Sequence, residues 1–149
     1  MNIYKINGGR TLHGAVEIDG AKNAALPIIA ASLLTDEVCL LGNIPNLTDV
    51  DNMISIARHI GSNCETDKVN CILRIGTPKV SCFEIDYNDA SKLRASFLFA
   101  GALLAVNGYV KIAMPGGCDF GVRPIDQHIK GFEALGAVVN VENGVISAE

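Results

Sequence analysis

A thiol, a guanidinium and three glycines share one ten-residue run, Pro115-Gly116-Gly117-Cys118-Asp119-Phe120-Gly121-Val122-Arg123-Pro124. Glycine at this density lets backbone approach a ligand closely and take positive φ without a Cβ clash. A thiol near a cation ionises more readily, and its reactivity toward electrophiles rises. The planar fork of Arg123 suits two-point contact with a carboxylate or a phosphate. A reactive loop facing an anion is the chemistry this composition allows. The plainer reading makes Cys118 a small apolar residue in a turn.

Two further cations stand where helices should begin. Lys22 and Asn23 open the apolar run Ala24 to Leu34, and Arg94 opens the run Ala95 to Val106. A helix start already favours anions, so a lysine there works against the dipole unless it neutralises a bound anion. Solvation at the surface is the alternative for Lys22, helix capping for Asn23, and a stem lying over apolar neighbours for Arg94.

The elements that must position these groups can be read from pattern. Both apolar runs predict helices buried on every side, and both fall short of the ~18 residues a membrane span needs. Tyr109 to Met114 reads as a strand leading into the glycine-rich loop. A helix follows from about Ile125, with Pro124 at its first position. Its apolar face is Ile125, Ile129, Phe132 and Leu135, and Asp126 suits the helix start. Asn2 to Asn7 and Ala15 to Asp19 read as two short strands around Gly8-Gly9. Val38 to Leu41 is a third strand. Thr48 or Asp49 then caps an amphipathic helix with Val50, Met53, Ile54, Ala57 and Ile60 on one face, stopped by Gly61. Cys64 to Thr66, Cys71 to Ile75 and Phe83 to Ile85 are strands, the first two joined by a turn at Asp67 to Asn70.

The pattern recurs. Each copy is a buried helix, a strand, an amphipathic helix and a hairpin, in that order. Ala25 to Leu34 (ALPIIAASLL) aligns with Ala95 to Leu104 (ASFLFAGALL). Val50-Asp51 and Gly61 align with Ile125-Asp126 and Gly136, but at a longer offset. The extra residues of the second copy therefore fall in the segment that holds the glycine-rich loop. A repeated unit that grows such a loop in one copy behaves as a scaffold with a site added. The period exceeds that of solenoids and points to a pseudo-symmetric globular domain.

Composition sets the outer limits. The chain has 149 residues, 49% of them hydrophobic. That length and apolar content suit one folded domain. The formal charge is −4, without a basic run. Nucleic-acid binding is thus disfavoured, and an anionic substrate needs a local group of cations. Cys39, Cys64, Cys71, Cys82 and Cys118 form no CxxC pair, and His13, His59 and His128 lack metal-ligand spacing. No metal and no cofactor are expected. Without a signal peptide, the chain is expected to be soluble in a reducing cytoplasm, with the other four cysteines as packing residues.

Three stretches, Gly20 to Pro27 (GAKNAALP), Leu93 to Ser96 (LRAS) and Pro115 to Asp126 (PGGCDFGVRPID), resemble the UDP-N-acetylglucosamine 1-carboxyvinyltransferase family. The resemblance runs from residue 1 to 149. It implies an α/β fold of the inside-out barrel type, built from repeated βαβαββ units with helices inside and sheets outside. About two of the three repeats of one domain would be present, at 21–88 and 89–149, with residues 1–20 supplying strands to a second domain. Family members are longer, and their later catalytic aspartate and a further arginine have no counterpart here. The implied reaction moves the enolpyruvyl group of phosphoenolpyruvate to the 3′-hydroxyl of UDP-N-acetylglucosamine and releases phosphate, the first committed step of peptidoglycan and cell-wall synthesis. The resemblance gives Cys118 a catalytic role and makes it the target of fosfomycin. It gives Lys22, Asn23 and Arg123 to phosphoenolpyruvate, and Arg94, Arg123, Pro124, Ile125, Asp126 and Gln127 to the nucleotide sugar. Self-association is expected through a surface left by absent repeats. The related 3-phosphoshikimate 1-carboxyvinyltransferase and a non-catalytic anion-binding module on the same scaffold are the rival readings.

Overall fold

Ten residues, KNAALPIIAA, four of them alanine, make α1 (Lys22–Ala31), and the chain tightens into a 3-10 turn at Ser32–Leu34. Pro27 is the sixth residue of α1. It lacks an N–H, so the carbonyl of Asn23 goes without its usual i+4 donor. Ala25, Leu26, Ile29, Ala30 and Leu33 are buried, but Ile28 is 46% and Leu34 57% exposed. The expectation of burial on every side is therefore corrected: α1 keeps one apolar face open. The protein is described from a computed structural model that covers residues 3–115 and 124–149. Cys118 and Arg123 lie outside the described residues.

Beyond α1 come β1 (Cys39–Leu41), α2 (Thr48–Ile60), β2 (Asn63–Asp67) and β3 (Ile72–Gly76). α2 buries Val50, Met53, Ile54, Ala57 and Ile60 as its periodicity predicts, and Ile56 with them. It ends where Gly61 takes φ 122°. Side chains rarely adopt that conformation. The β2–β3 hairpin turns on Asp67, whose carboxylate accepts from the side chain and N–H of Asn70 and from the N–H of Val69. Those bonds, led by the Asn70 side chain, hold its carboxyl below the usual range.

β4 (Glu84–Ile85) and α3 (Tyr87–Ala90) lead to a 3-10 turn at Arg94–Phe97 that runs into α4 (Leu98–Asn107). β5 (Val110–Ala113), α5 (Asp126–Ala134), β6 (Val139–Glu142) and β7 (Val145–Ala148) complete the order. The sheets are β1-β3-β2 and β4-β5-β7-β6. Stripped of β4, the second repeats the order of the first, with β5, β7 and β6 in place of β1, β3 and β2. The internal repeat is thus a repeat of topology. β4 runs parallel to β5, so this strand hydrogen-bonds into the second sheet although it precedes residue 89.

One apolar core joins the two units. Ile29 of α1, Met53, Ile56 and Ile60 of α2, Phe99 and Leu103 of α4, and Leu73, Ile75, Ile112 and Ile146 of the strands are all fully buried. α1 packs on α2 and on α4, so helices lie inside while the sheets turn their polar faces outward. The arrangement does not close into a barrel among the described residues. Between α1 and α4 an apolar groove stays open, lined by Pro27, Ala31, Leu34, Leu98, Gly101 and Ala105.

Two expectations fail. Residues 3–20 contain no strand. Ile3, Tyr4, Ile6, Leu12, Val16 and Ile18 are 88–92% exposed. Without a core to cover its apolar side, an isolated hairpin is marginal. Leu135 is 88% exposed as well: α5 buries none of its residues and rests on the core through half-buried Ile129 and Phe132 and the His128 ring against Phe97.

Candidate functional site

Lys22 is the first residue of α1, preceded by Ala21, whose side chain cannot cap the helix. Its Nζ lies 2.7 Å from Oδ2 of Asp49, the second residue of α2. The sequence marks Thr48 and Asp49 only as candidate caps. Instead Leu47 precedes the helix in extended conformation, with no side-chain cap, and both residues lie inside α2. The first turn of α2 favours the Asp49 charge. From there the carboxylate reaches a lysine 27 positions away in the chain. No local pattern signals that pairing.

Gly20 fixes the approach. A Cβ there would overlap the carbonyl oxygen of Asn43 and press on Pro45, so the backbone entering α1 lies directly against the loop that leads to α2. The role of Gly20 in close backbone contact is visible only in three dimensions. Asn23, second in α1, is exposed.

Arg94 begins the 3-10 turn ahead of α4 and is half-buried; its Nη2 donates to the carbonyl of Pro124 at 3.3 Å. The turn is pinned from beneath by fully buried Ser96, whose Oγ donates to the carbonyl of Ala90. Pro124 does not take the first helical position. Ile125, at φ −107° and ψ 10°, intervenes, and α5 starts at Asp126. The Ile125 side chain is buried, and its carbonyl accepts from His128 and Ile129, so little of it faces a ligand. Pro124, Asp126 and Gln127 are exposed, with Gln127 Nε2 donating to Asp126 Oδ2 at 3.0 Å. His128 meets Phe97 edge-on, ring centres 5.4 Å apart.

The structure therefore places Lys22 and Asn23 at one helix head and Arg94 with Pro124 to Gln127 at another. Lys22 heads α1 and Arg94 the turn that runs into α4, the two inner helices that pack together, while Pro124 to Gln127 lie at the start of α5. In each unit a cation at the start of the inner helix reaches an oxygen at the start of the amphipathic helix: Lys22 to Asp49, Arg94 to Pro124. The catalytic assignment of Cys118 and the anion-binding assignment of Arg123 fall outside the described residues.

The other cysteines, Cys39, Cys64, Cys71 and Cys82, are unpaired and half-buried. Burial pushes the Cys64 thiol up, and the Arg58 charge only partly offsets this. Among the described residues no cluster of three metal-ligating side chains gathers, and no helix is long and apolar enough to cross a membrane. A second polar cluster, which the sequence does not reveal, joins the units. His59 Nδ1 and Lys92 Nζ approach the carboxylate of Asp89 at 2.9 and 3.0 Å.

Comparison with known proteins matches the chain to a family. The family model for EPSP synthase (3-phosphoshikimate 1-carboxyvinyltransferase) matches residues 6–149. Among curated relatives, UDP-N-acetylglucosamine 1-carboxyvinyltransferase 1 of Staphylococcus epidermidis is 47% identical over 99% of the chain. UDP-N-acetylglucosamine 1-carboxyvinyltransferase 2 of Clostridium acetobutylicum is 43% identical over all of it. The chain spans 35% of the length of each. The enolpyruvyl transferase NikO from Streptomyces tendae superposes over 95% of this chain and 31% of its own, with TM-score 0.76 and 18% identity, a likeness of fold. By its sequence, its paired α/β units and its match to the N-terminal part of these relatives, the chain belongs to the EPSP synthase family of enolpyruvyl transferases.

Proposed function

We propose that this chain carries part of an enolpyruvyl transfer site that acts on phosphoenolpyruvate and UDP-N-acetylglucosamine. The observation that carries the proposal is the pair of cationic helix heads, in a chain aligned over nearly its whole length with relatives named for that transfer. In this reading Lys22 and Arg123 hold the phosphate and carboxylate of phosphoenolpyruvate, and Asn23 hydrogen-bonds beside them. Arg94, with Arg123 and the Pro124-Ile125-Asp126-Gln127 segment, holds the nucleotide sugar. Buried Ile125 would contribute packing rather than a polar contact.

The chemistry these residues serve is addition followed by elimination. A general base takes the proton of the sugar hydroxyl as its oxygen bonds to C2 of the enolpyruvate, while an acid gives a proton to C3, and Cys118 is assigned that acid role. The C2–O bond to phosphate then breaks as a base takes a proton from C3, restoring the double bond and releasing phosphate. Cations fixed on the phosphate stabilise the charge that gathers on it as it leaves. A second reading, an anion-binding module without turnover, keeps the same two cationic helix heads but omits the chemical step. Calorimetric titration with UDP-N-acetylglucosamine, followed by a phosphate-release assay with both substrates, tests the pair. Binding with release supports the transferase, binding without release supports the module, and absence of binding contradicts both.

A further inference from the structure

We infer that Asp49 is a positioning residue that holds the Lys22 ammonium ready for the anion. This rests on the assignment of Lys22 to phosphoenolpyruvate made above. Lys22 sits at the first position of α1, where the helix dipole repels a cation and no side-chain acceptor precedes it. A free lysine there would turn its flexible stem toward water and lose much rotamer freedom on meeting a ligand. Asp49 prevents this. It stands 2.7 Å from Nζ, and its side chain is only 32% exposed, against 46% for Lys22.

The pair is not a chance meeting of long surface chains. Asp49 is short, sits in the first turn of α2, and gains from that helix start. The backbone contact of Gly20 with Asn43 and Pro45 holds the segment entering α1 against the loop that leads to α2. The Arg94-to-Pro124 tie places a cation in the same way in the second unit. An ammonium has three N–H donors. Asp49 engages the end of the side chain and leaves the other donors to an incoming phosphate or carboxylate.

Asp51 supplies a matched control: it lies on the same helix turn, pairs with Lys68 at 3.1 Å, and removes the same charge when substituted. The test follows phosphoenolpyruvate titration of the full 149-residue chain by NMR, reading the Lys22 ammonium resonance and the first-turn amides of α1. Asp49→Ala is expected to weaken phosphoenolpyruvate binding about fivefold, the scale of immobilising one long side chain afresh. It should also broaden the ammonium resonance through faster proton exchange. Asp49→Asn, which keeps an acceptor, should stay within about twofold of the native chain, as should Asp51→Ala. If Asp49→Ala binds as the native chain does while Lys22→Ala loses binding, the positioning role is wrong and the assignment of Lys22 stands. If Lys22→Ala binds normally, or the native chain shows no response to phosphoenolpyruvate, both fall.

Discussion

Asp89 has two hydrogen-bonding partners, His59 and Lys92, and its titration has a definite sign. Burial pushes its carboxyl up, but hydrogen bonds from His59 and Lys92 and their charges outweigh that and hold it below the ordinary value. A carboxyl depressed in the folded state stabilises above its unfolded pKa, and the contribution drains away as pH falls through the folded value. Asp89→Ala is therefore expected to cost about 1 kcal/mol at neutral pH, since the group is partly buried and bonded twice. Urea unfolding at neutral pH and again in strong acid, below the folded pKa, checks this: the variant and native midpoints should differ at the first and converge at the second. Lys22, Asn23, Arg94 and Cys118 stand out in sequence because a cation at a helix start and a thiol among glycines are locally odd. Asp49 and Asp89 do not stand out, since Lys22 and His59, their partners, lie far from them in the chain.

At the scale of elements, apolar runs made α1 and α4 legible, periodicity α2, and turn residues the β2–β3 hairpin, because each has a core to face. Periodicity failed where a partner is missing. The apolar alternation of residues 3–20 has no sheet to join among the described residues, and the stripe on α5 continues to Leu135 beyond the reach of the core. The junction at Gly20 is the element on which Lys22 depends most. A Cβ at Gly20 would meet rigid backbone at Asn43 rather than a movable side chain. Gly20→Ala is expected to destabilise by about 2–3 kcal/mol. It should also weaken phosphoenolpyruvate binding by shifting the head of α1. Thermal melting and titration of the variant check both, and a melting point equal to the native one would show that the loop yields. At the other end of α2, Gly61→Ala should destabilise too, because φ +122° and the carbonyl of Lys79 both oppose a side chain.

Across the whole molecule the repeat explains both the strength of the core and its open side. Two units with the same strand order bury one another through α1, α2 and α4, yet leave the groove at Pro27, Ala31, Leu34, Leu98, Gly101 and Ala105 open to solvent. An apolar surface of that kind favours association. Sedimentation equilibrium of the chain should show concentration-dependent self-association, reduced by Leu34→Glu; a monomer at every concentration would contradict it. The extra residues of the second unit fall where Cys118 lies, and the proposed function converges on that sulfur. Fosfomycin is an epoxide: attack by a thiolate forms a C–S bond and opens the ring at one C–O bond. Intact-mass analysis with peptide mapping after incubation with fosfomycin is the most direct test of an activated thiol among anion-binding cations. A single adduct on Cys118, absent from Cys118→Ser, is the expected result, with Cys64 left unmodified because its burial disfavours the thiolate. Label spread evenly over Cys39, Cys64, Cys71, Cys82 and Cys118, or no label on Cys118, would contradict it.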